Sequence, residues 1–137
     1  MSTFNFLDRD IILAIHEEQL AQHGGRIGIR DEGLLDSALT RPIDRAAYDP
    51  DVDIATLAAA YAFGLAKNHP FLDGNKRTAY VAMELFLLDN GFALVSSDEE
   101  SLLTMLRLAA GEMGEDEYAA WIRGNIAGVG RDHPKNI

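Results

Sequence analysis

The sequence predicts an all-α fold, a single-domain helical bundle arranged around one central buried helix. Three observations carry that expectation. Apolar residues recur at three- and four-residue spacing in one segment after another. Most of these segments open on a capping residue or close at glycine or proline. One of them is apolar nearly all round, as a helix with neighbours on every side must be.

The elements follow in order. From Asp8 to about Ala21, Ile11, Ile12, Ile15 and Leu20 share a face, Asp8 serves as N-cap, and the glycines from Gly24 end the helix. A second helix opens at Asp31, carries Leu34, Leu35, Ala38 and Leu39, and is expected to stop before Pro42. Residues 41 to 51, with two prolines, read as a loop or small flap. Asp53 caps a third helix running towards Asn68, with Ile54, Leu57, Ala58, Tyr61 and Leu65 on one stripe. The central helix begins around Gly74 and runs to Asn90, with Gly91 as its stop. Phe92 to Val95 form a brief extended link, and Ser97 to Glu100 give a capping box that opens a helix to about Ala110. A last helix covers Glu115 to Asn125. The domain is thus expected over residues 1–125, with 126–137 as a frayed tail lacking periodicity.

At 137 residues the chain is one domain by size. It has no cysteine, hence no disulfide or thiolate metal site, and it shows no basic leader followed by an apolar run, which together fit a cytoplasmic protein. Its most apolar run, Tyr80 to Leu88, is already broken by Glu84, and no stretch approaches the length needed to span a bilayer. A net charge of −10 argues against direct nucleic-acid binding, and it gives weight to any cluster of opposite sign.

Such a cluster stands at the start of the central helix: His69-Pro70-Phe71-Leu72-Asp73-Gly74-Asn75-Lys76-Arg77. Pro70 forces a turn and biases His69 towards extended backbone. Gly74 permits a tight turn and leaves room for a ligand. Asn75, Lys76 and Arg77 occupy the first helical turn, where unpaired N–H groups and the helix dipole favour anions. Two cations there oppose the dipole, a conflict that a bound polyphosphate removes. His69 can take a proton from a hydroxyl, and Asp73 suits Mg²⁺ held jointly with substrate phosphates. Taken singly these residues have plainer readings: an N-cap for Asp73, a packed helix end for His69, a solvated face for the cations. Phe71 reads as core in either case.

Other patterns fail. Asp49, Asp51 and Asp53 start like a calcium loop, but Ile54 stands where glycine is required and Ala60 where the closing glutamate belongs. No Walker-type loop, nucleophile elbow or ordinary protein-kinase element is present. His16 and His23 lack ligand-spaced partners and read as surface residues.

The run from His69 to Arg77 resembles the signature H-P-F-x-[D/E]-G-N-x-R of the Fic/Doc superfamily. Gly28-Ile-Arg30-Asp31-Glu-Gly33-Leu-Leu-Asp-Ser37-Ala-Leu-Thr-Arg41-Pro42 resembles the upstream element of its death-on-curing (Doc) branch. AMP-transferring Fic enzymes usually place glycine where Lys76 stands and a second arginine where Tyr80 stands. Both departures are similar to Doc, and the resemblance then implies a toxin kinase. It would move the γ-phosphoryl group of ATP, with Mg²⁺, to a Thr/Ser hydroxyl of elongation factor Tu and so inhibit translation. His69, Asp73 and Lys76 would be catalytic; Gly74, Asn75, Lys76 and Arg77 would bind the nucleotide phosphates; and Asp73 would hold the metal. The resemblance also implies a flap aligning the target peptide, expected over residues 41–48. Self-inhibited Fic proteins carry [ST]-x-x-x-E-[GN]; here Ser96 to Glu100 is followed by Ser101, so inhibition is expected in trans, from a Phd-like antitoxin segment that folds on an exposed apolar groove. An AMP transferase on the same scaffold and a catalytically silent binding partner are the alternatives.

Overall fold

The computed structural model describes residues 3–129. Six helices and one two-stranded ribbon follow in the order α1 (Arg9–His23), α2 (Glu32–Tyr48), α3 (Ile54–Asn68), α4 (Asn75–Asp89), β1 (Phe92–Leu94), α5 (Asp98–Ala109), α6 (Glu115–Arg123) and β2 (Ile126–Gly128). The fold is all-α in substance, as expected. Among the described residues no helix is long and apolar enough to cross a membrane.

The expected caps form. Asp8, Asp31, Asp53 and Ser97 each accept a hydrogen bond from the backbone N–H three residues on, at 2.9–3.1 Å. Each satisfies one of the orphan donors of its helix. The capping box at Ser97 is only half made, because Glu100 turns its carboxylate to the Trp121 indole N–H at 2.8 Å and ties α5 to α6.

The buried centre is shared between α3 and α4. In α3 every residue from Leu57 to Ala62 is fully buried. Alanines let its neighbours approach closely, and at Gly64 an added Cβ would lie 3.2 Å from the α-carbon of Ala38 on α2. The α4 helix buries Thr78, Ala79, Ala82, Met83, Phe86 and Leu87, but its first turn faces out with Lys76 and Arg77. That asymmetry places the charged start of α4 at the surface and its body in the core.

Two expectations are corrected. The second helix does not stop before Pro42; it runs on to Tyr48, so residues 41–48 are helical and form no flap. A proline inside a helix costs about 3 kcal/mol, and tertiary contacts offset it here. Pro42 is itself buried, Arg41 and Arg45 both pair with Glu115 at the start of α6, and the Arg41 guanidinium lies 4.9 Å from the Phe63 ring centroid. Likewise, residues 126–128 are not tail but β2, antiparallel to β1, with Phe92 opposite Gly128 and Leu94 opposite Ile126. Hydrogen bonds from Val95 N–H to Asn125 and from Val129 N–H to Gly91, both 2.7 Å, extend the pairing. Three residues are too few to show a period, so pairing partners decide this strand. The rest of the expected tail, 130–137, lies outside the described residues.

Candidate active site

The turn between α3 and α4 is built from strained and unusually braced backbone. His69 follows the last residue of α3 and adopts left-handed φ 50°, ψ 56°, the only non-glycine with positive φ among the described residues. This corrects the extended conformation expected before Pro70. The left-handed form costs an ordinary residue roughly 1–2 kcal/mol, and Arg30 holds it in place. The Arg30 guanidinium donates to the carbonyl of His69 at 2.6 Å and to that of Asn68 at 2.8 Å. Strain held by surrounding bonds is a recurrent property of functional turns.

The segment from Gly24 to Asp31 forms the other wall. Ile29 bridges Phe71 in antiparallel fashion, Leu72 N–H donates to Gly28 at 3.0 Å, and Arg30 N–H donates to Pro70 at 2.7 Å. Arg26 N–H donates to the Asp73 carboxylate at 2.7 Å. Gly25, at φ +129°, runs so close that an added Cβ would lie 2.8 Å from Leu20 and 3.1 Å from Asp73. It is this segment, rather than residues 41–48, that lies against the turn from His69 to Gly74.

Within the turn, Asn75 directs its amide inward. Its Oδ1 accepts Phe71 N–H and its Nδ2 donates to Phe71 O, both at 2.9 Å, while Nδ2 also approaches His69 Nδ1 at 3.5 Å. Asn75 therefore fixes the loop and touches the imidazole, leaving Nε2 as the ring nitrogen with no protein partner among the described residues. Phe71 is core, as expected, at 1% exposure.

Gly74, at φ 78°, occupies the N-cap of α4 without any side-chain cap, unlike the aspartates and serine that cap α1, α2, α3 and α5. The first-turn amides of α4 thus stay available. Lys76 and Arg77 are exposed beside them and have no carboxylate partner among the described residues; Arg77 reaches only the carbonyl of Gly24, at 3.4 Å. Free amides, the positive end of a 15-residue helix and two unpaired cations make one anion cradle. Asp73 places a carboxylate at its rim with one oxygen committed to Arg26. Among the described residues no cluster of three or more His, Cys, Asp or Glu could hold a metal by itself. A lone carboxylate beside an anion site fits a Mg²⁺ carried largely by substrate phosphates.

Two hollows open on either side of Lys76. One, of about 520 Å³, is lined by His69, Lys76, Leu103, Leu106 and Arg107. The other, of about 460 Å³, is apolar and runs from Lys76 and Arg77 past Tyr80, Val81, Leu102 and Met105. Leu102 and Leu106 are 59% and 41% exposed, so this groove has an unpartnered apolar wall.

Of the expected residues, His69 and Lys76 line one hollow, Lys76 and Arg77 line the other, Asp73 lies against Arg26, and Asn75 turns its amide into the loop. Sequence reasoning missed Arg30, whose role depends on a contact 39 residues distant. It also misplaced His16, which is not a surface residue. His16 is 4% exposed and stacks on Phe71 with ring centroids 3.8 Å apart. His23, by contrast, is exposed as expected.

Comparison with known proteins agrees with this picture. Residues 6–87 match the profile of the Fic/DOC family. The chain is similar to "Protein kinase doc" of Escherichia phage P1, 33% identical over 112 residues covering 82% of this chain and 88% of that protein. It is also similar to "Toxin Doc" of Mycolicibacterium smegmatis, 40% identical over 93 residues covering 66% of this chain and 68% of that protein.

Proposed function

The chain belongs to the Fic/DOC family, and from that premise we propose that it is a Doc-type toxin kinase. In this reading it transfers the γ-phosphoryl group of ATP to a threonine or serine hydroxyl of elongation factor Tu and so inhibits translation. The observation that carries the proposal is the uncapped start of α4, where Lys76 and Arg77 stand without carboxylate partners beside the exposed His69. The relatives named as a kinase and a toxin support it.

The chemistry follows from the residues. His69 Nε2 accepts the proton of the acceptor hydroxyl, whose oxygen forms the new bond to the γ-phosphorus. The bond from that phosphorus to the bridging oxygen breaks, and ADP leaves with the electron pair. The α4 amides, Lys76 and Arg77 hold the phosphates and offset the charge that develops. Asp73 would hold Mg²⁺, which when bound neutralises phosphate charge. Asn75 keeps the imidazole and the Phe71 backbone in register.

Two observations favour phosphoryl over AMP transfer. Lys76, exposed at the start of α4, stands where AMP-transferring enzymes usually carry glycine. Tyr80 stands where a second phosphate-clamping arginine would, and its hydroxyl donates to Glu84 at 3.1 Å. An inhibitor supplied in trans is supported too: the Glu100 carboxylate, the acid an internal brake would use, accepts the Trp121 indole N–H at 2.8 Å instead. The apolar groove beside Lys76 and Arg77 is the surface on which a Phd-like antitoxin segment would fold.

The test uses ATP labelled at either the α or the γ phosphate, with elongation factor Tu as acceptor. Label from the γ position on a threonine or serine supports the proposal. Label from the α position means AMP transfer. No transfer to this factor or to any protein of a whole-cell lysate favours a silent binding partner.

A further inference from the structure

His16 lies on α1, seven residues before the end of that helix, yet it reaches the centre of the turn that starts α4. Its Nε2 is 2.8 Å from the carbonyl oxygen of Asp73. A carbonyl only accepts, so this nitrogen carries the proton and donates. The ring is stacked on Phe71 at an interplanar angle of 10°, and its Cδ2 would lie 3.7 Å from a Cβ added at Gly74. The turn therefore rests directly on this imidazole.

The consequence lies in the peptide plane. No cis peptide occurs among the described residues, and in a trans peptide the C=O and the following N–H point in opposite directions. With the Asp73 carbonyl held down on α1, the Gly74 N–H is turned away from α1. Left to itself, an Asp-Gly peptide flips at little cost, because glycine accepts either sign of φ. A flipped peptide would present a carbonyl oxygen, not an N–H, on the outer side.

We propose that His16 is a positioning residue of the phosphate site: it anchors the Asp73–Gly74 peptide so that the Gly74 N–H joins the α4 amides in facing the anion. The inference rests on the nucleotide reading of the site given above and deepens it. A histidine that merely filled the core would also need an acceptor for its buried N–H, but the peptide it bonds would then have no bearing on the anion site.

Substitutions separate the two. His16→Phe keeps a ring on Phe71 and deletes the donor; His16→Gln keeps an N–H donor of similar reach and gives up the stack. Each full-length variant is titrated calorimetrically with ATP and Mg²⁺, thermal unfolding is recorded alongside, and the Gly74 N–H orientation is read from residual dipolar couplings in the free protein. The expected result for His16→Phe is near-normal unfolding, a nucleotide Kd raised roughly five- to tenfold, the scale of one net hydrogen bond, and a Gly74 N–H without a single orientation. His16→Gln restores most of the affinity. If His16→Phe does not fold, His16→Asn replaces it, since the shorter amide cannot reach Asp73. Wild-type affinity and a fixed Gly74 N–H in the donor-less variant overturn the proposal, as does an affinity loss in every variant that only tracks thermal stability. A wild type that binds no nucleotide sinks the kinase reading instead; a Gly74 N–H released in the free donor-less variant still supports the anchoring, and a fixed one overturns it.

Discussion

Asn75, which the family resemblance marks as a phosphate-binding residue, turns its side chain to the loop's own backbone. The residue is 9% exposed, and its amide makes both its strong bonds to the backbone of Phe71. Only its main-chain N–H remains for the anion cradle. Asn75→Ala leaves the buried N–H and C=O of Phe71 without partners, which costs about 1–3 kcal/mol. The expected outcome is a clearly lowered Tm together with loss of transfer activity. Unchanged thermal unfolding would show that the amide does not brace the loop. The left-handed His69 carries the same lesson. The residue before a proline is biased to extended backbone, and here the distant Arg30 braces the departure by holding the carbonyls of Asn68 and His69. No local pattern could have revealed it.

At the scale of elements, what the sequence made legible was whatever is settled locally. Aspartate caps, apolar stripes and the Gly91 stop all appear where expected, because each depends on residues within one turn. Pro42 and the strand at residues 126–128 were not legible, because helix continuation and strand pairing there rest on Glu115 and on β1. One cap also joins two elements. Arg123 on α6 grips Asp53, the N-cap of α3, through Nε at 2.6 Å and Nη2 at 3.2 Å. The Arg123 hydrogen bond, with help from Thr56, holds the Asp53 carboxyl down at about 2 against an ordinary 3.8. A depressed carboxyl stabilises the fold fully above its unfolded value, and the contribution fades as pH falls through its folded one. Asp53→Asn keeps a capping oxygen and loses the ion pair. At neutral pH it should be less stable by about 0.5–1 kcal/mol, the range for a partly exposed pair. Thermal unfolding against pH checks this: the gap between wild type and variant should close between about pH 4 and pH 2. A gap constant over that interval would mean the ion pair is not its source.

Across the whole molecule, charge and apolar surface are distributed unevenly in a way that suits the proposed activity. A chain of net charge −10 leaves Lys76, Arg77 and Arg107 around the His69 hollow and the start of α4, where a polyanion would be drawn in. Beside them the exposed leucines of α5 leave an apolar wall uncovered. An antitoxin segment lying in that groove would bury apolar side chains and cover the cations together. Leu102→Asp, on the groove but outside the His69 hollow, should weaken capture of a Phd-like antitoxin segment at least tenfold, consistent with burying one charged side chain unpaired. Transfer activity should persist. Titration calorimetry with the segment checks the first and the labelled-ATP assay the second; wild-type affinity in the variant would place the antitoxin elsewhere.

In the proposed activity, the turn from His69 to Arg77 binds a nucleotide through its cations and amides, and moves a proton through its histidine. The most direct test compares His69→Ala with Arg77→Ala, measuring nucleotide binding and transfer separately in each. His69→Ala should bind ATP almost as the wild type does and transfer nothing, while Arg77→Ala should lose both. Equal loss of binding in the two variants would contradict the assignment.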